Sequence, residues 1–181
     1  MPGKSPGRAC RRATGHGRLQ GWGYPPARLR DSSTRSVATA SDRESGPPLY
    51  LDTSAVLRAT LEAGTSLEVE QRIRLASVLV TSRLSLVESC RAFVRLRTLG
   101  QVDEERLVDS ERDVAAIWSR CELWEISRGV CETACAVAHT TSLRALDAIH
   151  LATFVLARRQ LGGLELLTVD DRLQHAALGS H

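Results

Sequence analysis

No apolar run in this chain approaches the roughly 18 residues that a membrane-spanning helix needs. The N-terminus also has no apolar core of the kind a secretory signal carries, so a soluble, cytoplasmic protein is expected. Cysteines are few and odd in number: Cys10, Cys90, Cys121, Cys131 and Cys135 do not form a secreted disulfide pattern, and reduced thiols are expected. Cys131 and Cys135 lie four apart on a predicted helix, but no Cys/His pair at zinc-site spacing accompanies them, which argues against structural zinc. Internal repeats are absent, and Lys4 is the only lysine.

The formal net charge of +3 averages two unlike segments. Residues 1–48 carry Lys4 and eight arginines against Asp31, Asp42 and Glu44, a net +6, while the remainder carries −3. A basic-surface argument for nucleic-acid binding therefore cannot rest on the overall charge. Residues 1–48 are rich in Gly, Pro, Ser and Arg, contain only Trp22 and Tyr24 as aromatics, and show no period of 2 or 3.6. Such a segment buries too little apolar surface to offset its ordering entropy, so a disordered basic tail is expected, with the folded domain over residues 49–181. The tail could be an electrostatic arm for RNA or a transit peptide, which its lack of amphipathic period disfavours. It could also be an upstream start-site artefact, with Val37 at an alternative initiation codon.

From Leu49 the pattern alternates strand and helix. LYLDTSAV, Leu49 to Val56, is an apolar strand that ends in Asp52 and passes at once into helix, with Thr53 or Ser54 able to cap it. Helices are predicted to about Ala63 and from Leu67 to Ala76. A buried strand follows at Ser77–Thr81, then a long helix, Leu84 to Leu99, capped by Ser82 and stopped by Gly100. Asp103 to Arg120 reads as helix with Leu107, Val108, Val114, Ala115 and Trp118 on its apolar face. A half-buried strand is predicted at Glu122–Ser127, helices at Val130 to about His139 and Leu146–Gln160, a last strand at Leu164–Val169, and a helical turn through Ala177. Strands separated by helices imply crossover connections and a parallel sheet, giving an α/β sandwich of about four strands.

Asp52 and Asp170 are each the first carboxylate after an apolar strand; if those strands are parallel neighbours, both emerge at one sheet edge, where open α/β sheets place ligands. Asp147 opens a helix, where the dipole favours a carboxylate. Glu88 sits in mid-helix on a largely apolar turn and needs a partner. Taken singly, Asp52 and Asp147 could be helix caps, and Glu88 could pair with Arg91 or Arg95 on its own helix. Four carboxylates from four segments fit a divalent-cation site of the Mg²⁺ or Mn²⁺ type. Such a site activates water against a phosphodiester.

LYLDTSAV, SLVESCRA, LRALDAIHLATF and LLTVDDRL, in that order, resemble the ordered acidic motifs of PIN-domain nucleases, in particular VapC-type toxins of bacterial toxin–antitoxin pairs. The resemblance covers about residues 49–178. It implies a PIN-like α/β/α sandwich, Mg²⁺- or Mn²⁺-dependent endoribonuclease activity on an RNA substrate, homodimerisation, and inhibition by a VapB-type antitoxin. It also implies that Asp52, Glu88, Asp147 and Asp170 form the acidic quartet, with Asp52 and Asp147 foremost as metal ligands. Thr53, Ser54 and Thr168 match the family's small hydroxyl positions. Asp171 could replace or assist Asp170, which is preferred because it ends the strand.

His150 shares a helical face with Asp147 and is expected to be packed or hydrogen-bonded, since metal-activated water needs no histidine base. Arg91, Arg95 and Arg97 are expected on a solvated helix face, the first two on the side of Glu88. Two other functions remain open: a housekeeping nuclease without an antitoxin, and an inactive RNA- or protein-binding module, which the intact quartet disfavours. A phosphatase- or receiver-like domain is a poor fit. Asp52 is followed by Thr53 and Ser54 rather than a second aspartate, and no lysine follows.

Overall fold

The fold is taken from a computed structural model of the chain, in which residues 46–62, 64–137 and 143–179 are described. Most of the predicted tail, residues 1–45, lies outside the described residues, as do the predicted helix end near His139 and most of the polar stretch after it.

Four short strands, β1 (Leu49–Leu51), β2 (Leu79–Ser82), β3 (Cys121–Trp124) and β4 (Glu165–Leu167), form one parallel sheet in the order β3-β2-β1-β4. The expected α/β/α sandwich is therefore present. Among the described residues, six helices fill the connections, α1 (Thr53–Leu61), α2 (Leu67–Leu75), α3 (Leu84–Leu99), α4 (Glu104–Arg120), α5 (Arg128–Ala136) and α6 (Ala145–Gln160), and α7 (Asp171–Leu178) follows the last strand. The first and last strands in the chain, β1 and β4, are direct neighbours, with Leu51 opposite Leu167.

Strand alternation assigns the layers, because successive side chains point to opposite faces. Leu49 and Leu51 pack against α1 to α4 through Val56, Ile73, Phe93, Leu107, Val114 and Trp118. Tyr50 and Val80 face the other way, onto Leu151, Phe154 and Ala157 of α6 and Leu173 of α7. Each fully buried Leu or Phe contributes about 1.5–3 kcal/mol relative to exposure. The period also places Asp52 on the Tyr50 face, toward α6.

Several boundaries differ from the sequence reading for local reasons. The last strand stops at Leu167, because the ladder's final bond runs from the Asp52 amide to the Leu167 carbonyl (3.0 Å). Asp170 thus lies three residues beyond the strand rather than at its end. The third strand is shorter than expected because Ser127 leaves it to cap α5, accepting from the Val130 amide (3.3 Å). On α4 the buried stripe is Leu107, Ser110, Val114 and Trp118; Val108 and Ala115 are exposed, each one position and about 100° off that stripe. Gly100 ends α3 in the left-handed region (φ 61°), where it donates back to the last turn. Ahead of β1, Gly46 donates to the Leu75 carbonyl (2.7 Å) and accepts from the Ser77 amide (3.1 Å). No helix among the described residues is long and apolar enough to cross a membrane.

Candidate active site

Asp52 leaves β1 and becomes the N-cap of α1, so its carboxylate is held by local donors. Its Oδ2 accepts from the Ser54 amide (3.2 Å), from the Ser54 hydroxyl and from Thr168 Oγ1 (2.9 Å). The Ser54 hydroxyl oxygen in turn accepts from the Val169 amide (3.2 Å), and Thr168 Oγ1 accepts from the Asp170 amide (3.0 Å). These bonds stitch the exits of β1 and β4 together and saturate one carboxylate oxygen. The other, Oδ1, faces His150 Nε2 at 3.6 Å. Asp52 as a whole is only 6% exposed.

Glu88 reaches the same place from the second turn of α3. Its Oε2 accepts from Thr53 Oγ1 (2.5 Å) and lies 2.8 Å from His150 Nε2, so its partners are across the fold rather than Arg91 or Arg95 on its own helix. Burial would raise the Glu88 carboxyl, but the hydrogen bonds from His150 and Thr53 outweigh it and hold the group below its ordinary value. The half-buried Glu88 is thus an anion at neutral pH.

His150 is 1% exposed and bonded at both ring nitrogens, Nδ1 standing 2.9 Å from the Tyr50 hydroxyl. The packed, hydrogen-bonded role expected for it is what the structure shows. Tyr50 had no place in the sequence reading. Its signal is a phenol inside an apolar strand two residues before Asp52, hence on the same face. Burial, with the charges of Asp52 and Glu88 adding to it, pushes the Tyr50 phenol well above its ordinary value.

The structure brings Asp52 and Glu88 together and leaves the other two acids engaged with helix starts. Asp147, half-buried one turn before His150, accepts from the Arg144 amide (3.3 Å) at the start of α6. Asp170 caps α7, accepting from the amides of Arg172 (2.8 Å) and Leu173 (3.3 Å), with the Arg172 guanidinium at 3.6 Å. Asp171 is the exposed first residue of α7. Arg97 is committed to Glu111 and Glu104, whereas Arg91 and Arg95 are exposed on α3. Burial pushes the Cys121 thiol up to about 12, so it stays protonated.

Among the described residues, one group of three ligating side chains converges: one atom each from Asp52, Glu88 and His150 lies within 4.8 Å of the others. Each carboxylate has one oxygen held by protein donors and the other without a hydrogen bond to any described residue. Two such anions side by side suit a hard divalent cation, which takes carboxylate oxygens and keeps several waters.

The PIN domain family model matches residues 49–178. Of the solved structures, PAE2754 from Pyrobaculum aerophilum is similar, with a TM-score of 0.53 at 18% identity over 80% of this chain and 90% of that one, a likeness of fold. A toxin–antitoxin complex from Klebsiella pneumoniae aligns with a TM-score of 0.47 at 24% identity, over 67% of this chain and 86% of that one. VapBC2 from Rickettsia felis, bound to a DNA fragment from their promoter, aligns with a TM-score of 0.47 at 11% identity, over 68% of this chain and 99% of that one. No curated protein matches.

Proposed function

The chain belongs to the PIN-domain family, and from that premise we propose that it is a Mg²⁺- or Mn²⁺-dependent endoribonuclease, the toxin of a VapBC-type pair. The observation that carries the nuclease reading is the Asp52–Glu88 pair, two carboxylates from separate elements that converge within 4.8 Å at the carboxyl edge of a parallel sheet. Thr53, Ser54 and Thr168 hold those carboxylates in place by donating to their oxygens. Asp147 and Asp170 flank the pair. Asp147 stands one turn before His150, and Asp170 is tied through its amide to the same Thr168 that holds Asp52.

A divalent cation held there by these carboxylates would supply an activated water against the RNA phosphodiester and offset charge on the leaving oxygen. Asp52 and Glu88 are its foremost ligands in this reading, with Asp147 and Asp170 completing the quartet. Arg91 and Arg95, exposed beside Glu88 on α3, are available to an incoming phosphate backbone. The toxin assignment, a VapB-type antitoxin partner, homodimerisation and a cytoplasmic location are supported by the ordered motifs from Leu49 to Leu173. The division into a basic tail, 1–48, and a nuclease domain, 49–181, belongs to the same reading.

The test is incubation of the purified protein with a mixed pool of structured and unstructured RNAs in Mg²⁺, in Mn²⁺ and with a chelator. Metal-dependent cutting is expected; cutting that persists in chelator, or none with either metal, would overturn the assignment. A small DNA-binding protein encoded immediately upstream, which silences the activity on mixing, is expected for the toxin and not for a housekeeping nuclease.

A further inference from the structure

Tyr50, His150 and Glu88 form an unbroken hydrogen-bonded line from the middle of β1 to the edge of the site. Its members come from three elements, β1, α6 and α3, and two of them are at most 1% exposed. The Tyr50 ring is wedged edge-on between His150 (6.1 Å, 78°) and Phe154 (5.9 Å, 63°), so the phenol has little freedom to turn. An ionised carboxylate only accepts, so the ring nitrogen facing Glu88 Oε2 at 2.8 Å is the one that donates, and in the neutral ring Nδ1 is left to take the Tyr50 O–H at 2.9 Å.

A neutral imidazole that accepts at Nδ1 carries its hydrogen on Nε2. That nitrogen then has no lone pair for a cation and donates instead to Glu88 Oε2 at 2.8 Å. Glu88 Oε2 is thereby held from two sides, by His150 and by Thr53. We propose that Tyr50 and His150 are a positioning pair: Tyr50 fixes the imidazole as the Nε2–H tautomer, and His150 aims the Glu88 carboxylate at the cation without ligating it. This rests on the metal-dependent reading above and adds that the third member of the ligating cluster stands behind the ligands. Outer partners of this kind orient a carboxylate and commonly cost about 10- to 100-fold in metal affinity when removed.

Two measurements on the same proteins test it. In the metal-free, ¹⁵N-labelled protein the His150 ring nitrogens are expected to report the Nε2–H tautomer, and Tyr50→Phe, which deletes only the hydroxyl, is expected to give a mixture of tautomers. An Nδ1–H ring in the wild type, or no change in Tyr50→Phe, overturns the pairing. In Mn²⁺ titrations followed by electron paramagnetic resonance, the bound ion is expected to show no directly coordinated nitrogen. Tyr50→Phe and His150→Ala are expected to bind more weakly, by about 10-fold or more. His150→Gln, whose amide can still donate to Glu88, is expected to recover part of the loss. Direct nitrogen coupling, or unchanged affinity in Tyr50→Phe, overturns the positioning role while leaving the metal site intact. A folded wild type that binds no Mn²⁺ overturns both this inference and the metal-dependent reading beneath it.

Discussion

Thr168 donates its hydroxyl proton to Asp52 across a 2.9 Å gap, joining the exit of β4 to the exit of β1 although 116 residues separate them. The same hydroxyl oxygen accepts the Asp170 amide, so one threonine fixes both a site carboxylate and the backbone of the next acid. Thr168→Val keeps the shape and removes that link. Hydrogen bonds to charged groups contribute about 1.5–3 kcal/mol. Because Ser54 still holds the same oxygen, the loss is expected near the lower end, about 1.5 kcal/mol in urea denaturation. A change indistinguishable from zero would show that Ser54 alone holds Asp52.

Among the described residues, Asp147 bonds the Arg144 amide at the helix start and carries little of the fold. Asp147→Asn keeps an acceptor for the Arg144 amide, so unfolding free energy is expected to change by less than about 1 kcal/mol. Cleavage is expected to fall by about 100-fold or more, the scale of losing one fixed charge from an active site. Wild-type cleavage in a folded Asp147→Asn protein would remove this residue from the quartet.

Asp170 separates capping from charge. Burial would raise its carboxyl, but the Arg172 and Leu173 amides and the Arg172 guanidinium hold it below its ordinary value. A carboxyl depressed in the folded state contributes stability that is present above the unfolded pKa of about 3.9 and is lost as pH falls through the folded value. In chelator, wild-type stability is therefore expected to drop more steeply below about pH 4 than that of Asp170→Asn, which keeps the cap but not the charge. Asp170→Ala, losing both, is expected to be about 1 kcal/mol less stable at neutral pH. Parallel pH profiles for wild type and Asp170→Asn would contradict the depressed carboxyl.

Gly46 makes two backbone bonds to the segment between α2 and β2. Deleting residues 1–45 is expected to leave the melting temperature unchanged, while deleting 1–46 is expected to cost about 1–2 kcal/mol for the two lost bonds. A drop already present on removal of 1–45 would show that the tail packs.

Much of this architecture was legible because helix and strand periods are local. The alternation from Leu49 onward fixed a parallel sheet, Gly100 marked the end of α3, and Asp52 announced itself at a strand-to-helix turn. Less legible was anything set by distant partners. The early end of β4 depends on where β1 stops supplying hydrogen bonds, and the true partner of Glu88 is a histidine 62 positions away rather than the arginines on its own helix. Tyr50 does not stand out in sequence because, in a strand, a buried phenol looks like any other apolar residue; its hydroxyl matters only because α6 brings His150 to it. The apolar face of α4 is wider in sequence than the stripe the fold buries, since Val108 and Ala115 are apolar yet lie off it.

The most direct measurement is a Mn²⁺ titration of the wild-type protein beside Asp52→Asn and Glu88→Gln, with the fold of each checked by melting. Asp52→Asn retains acceptor and donor atoms for its neighbours and is expected to melt no lower than wild type, because removing one of two adjacent anions relieves their repulsion. The wild type is expected to bind the ion and both variants to lose it. Variants that remain folded and bind Mn²⁺ as tightly as wild type would contradict a metal centre built on Asp52 and Glu88.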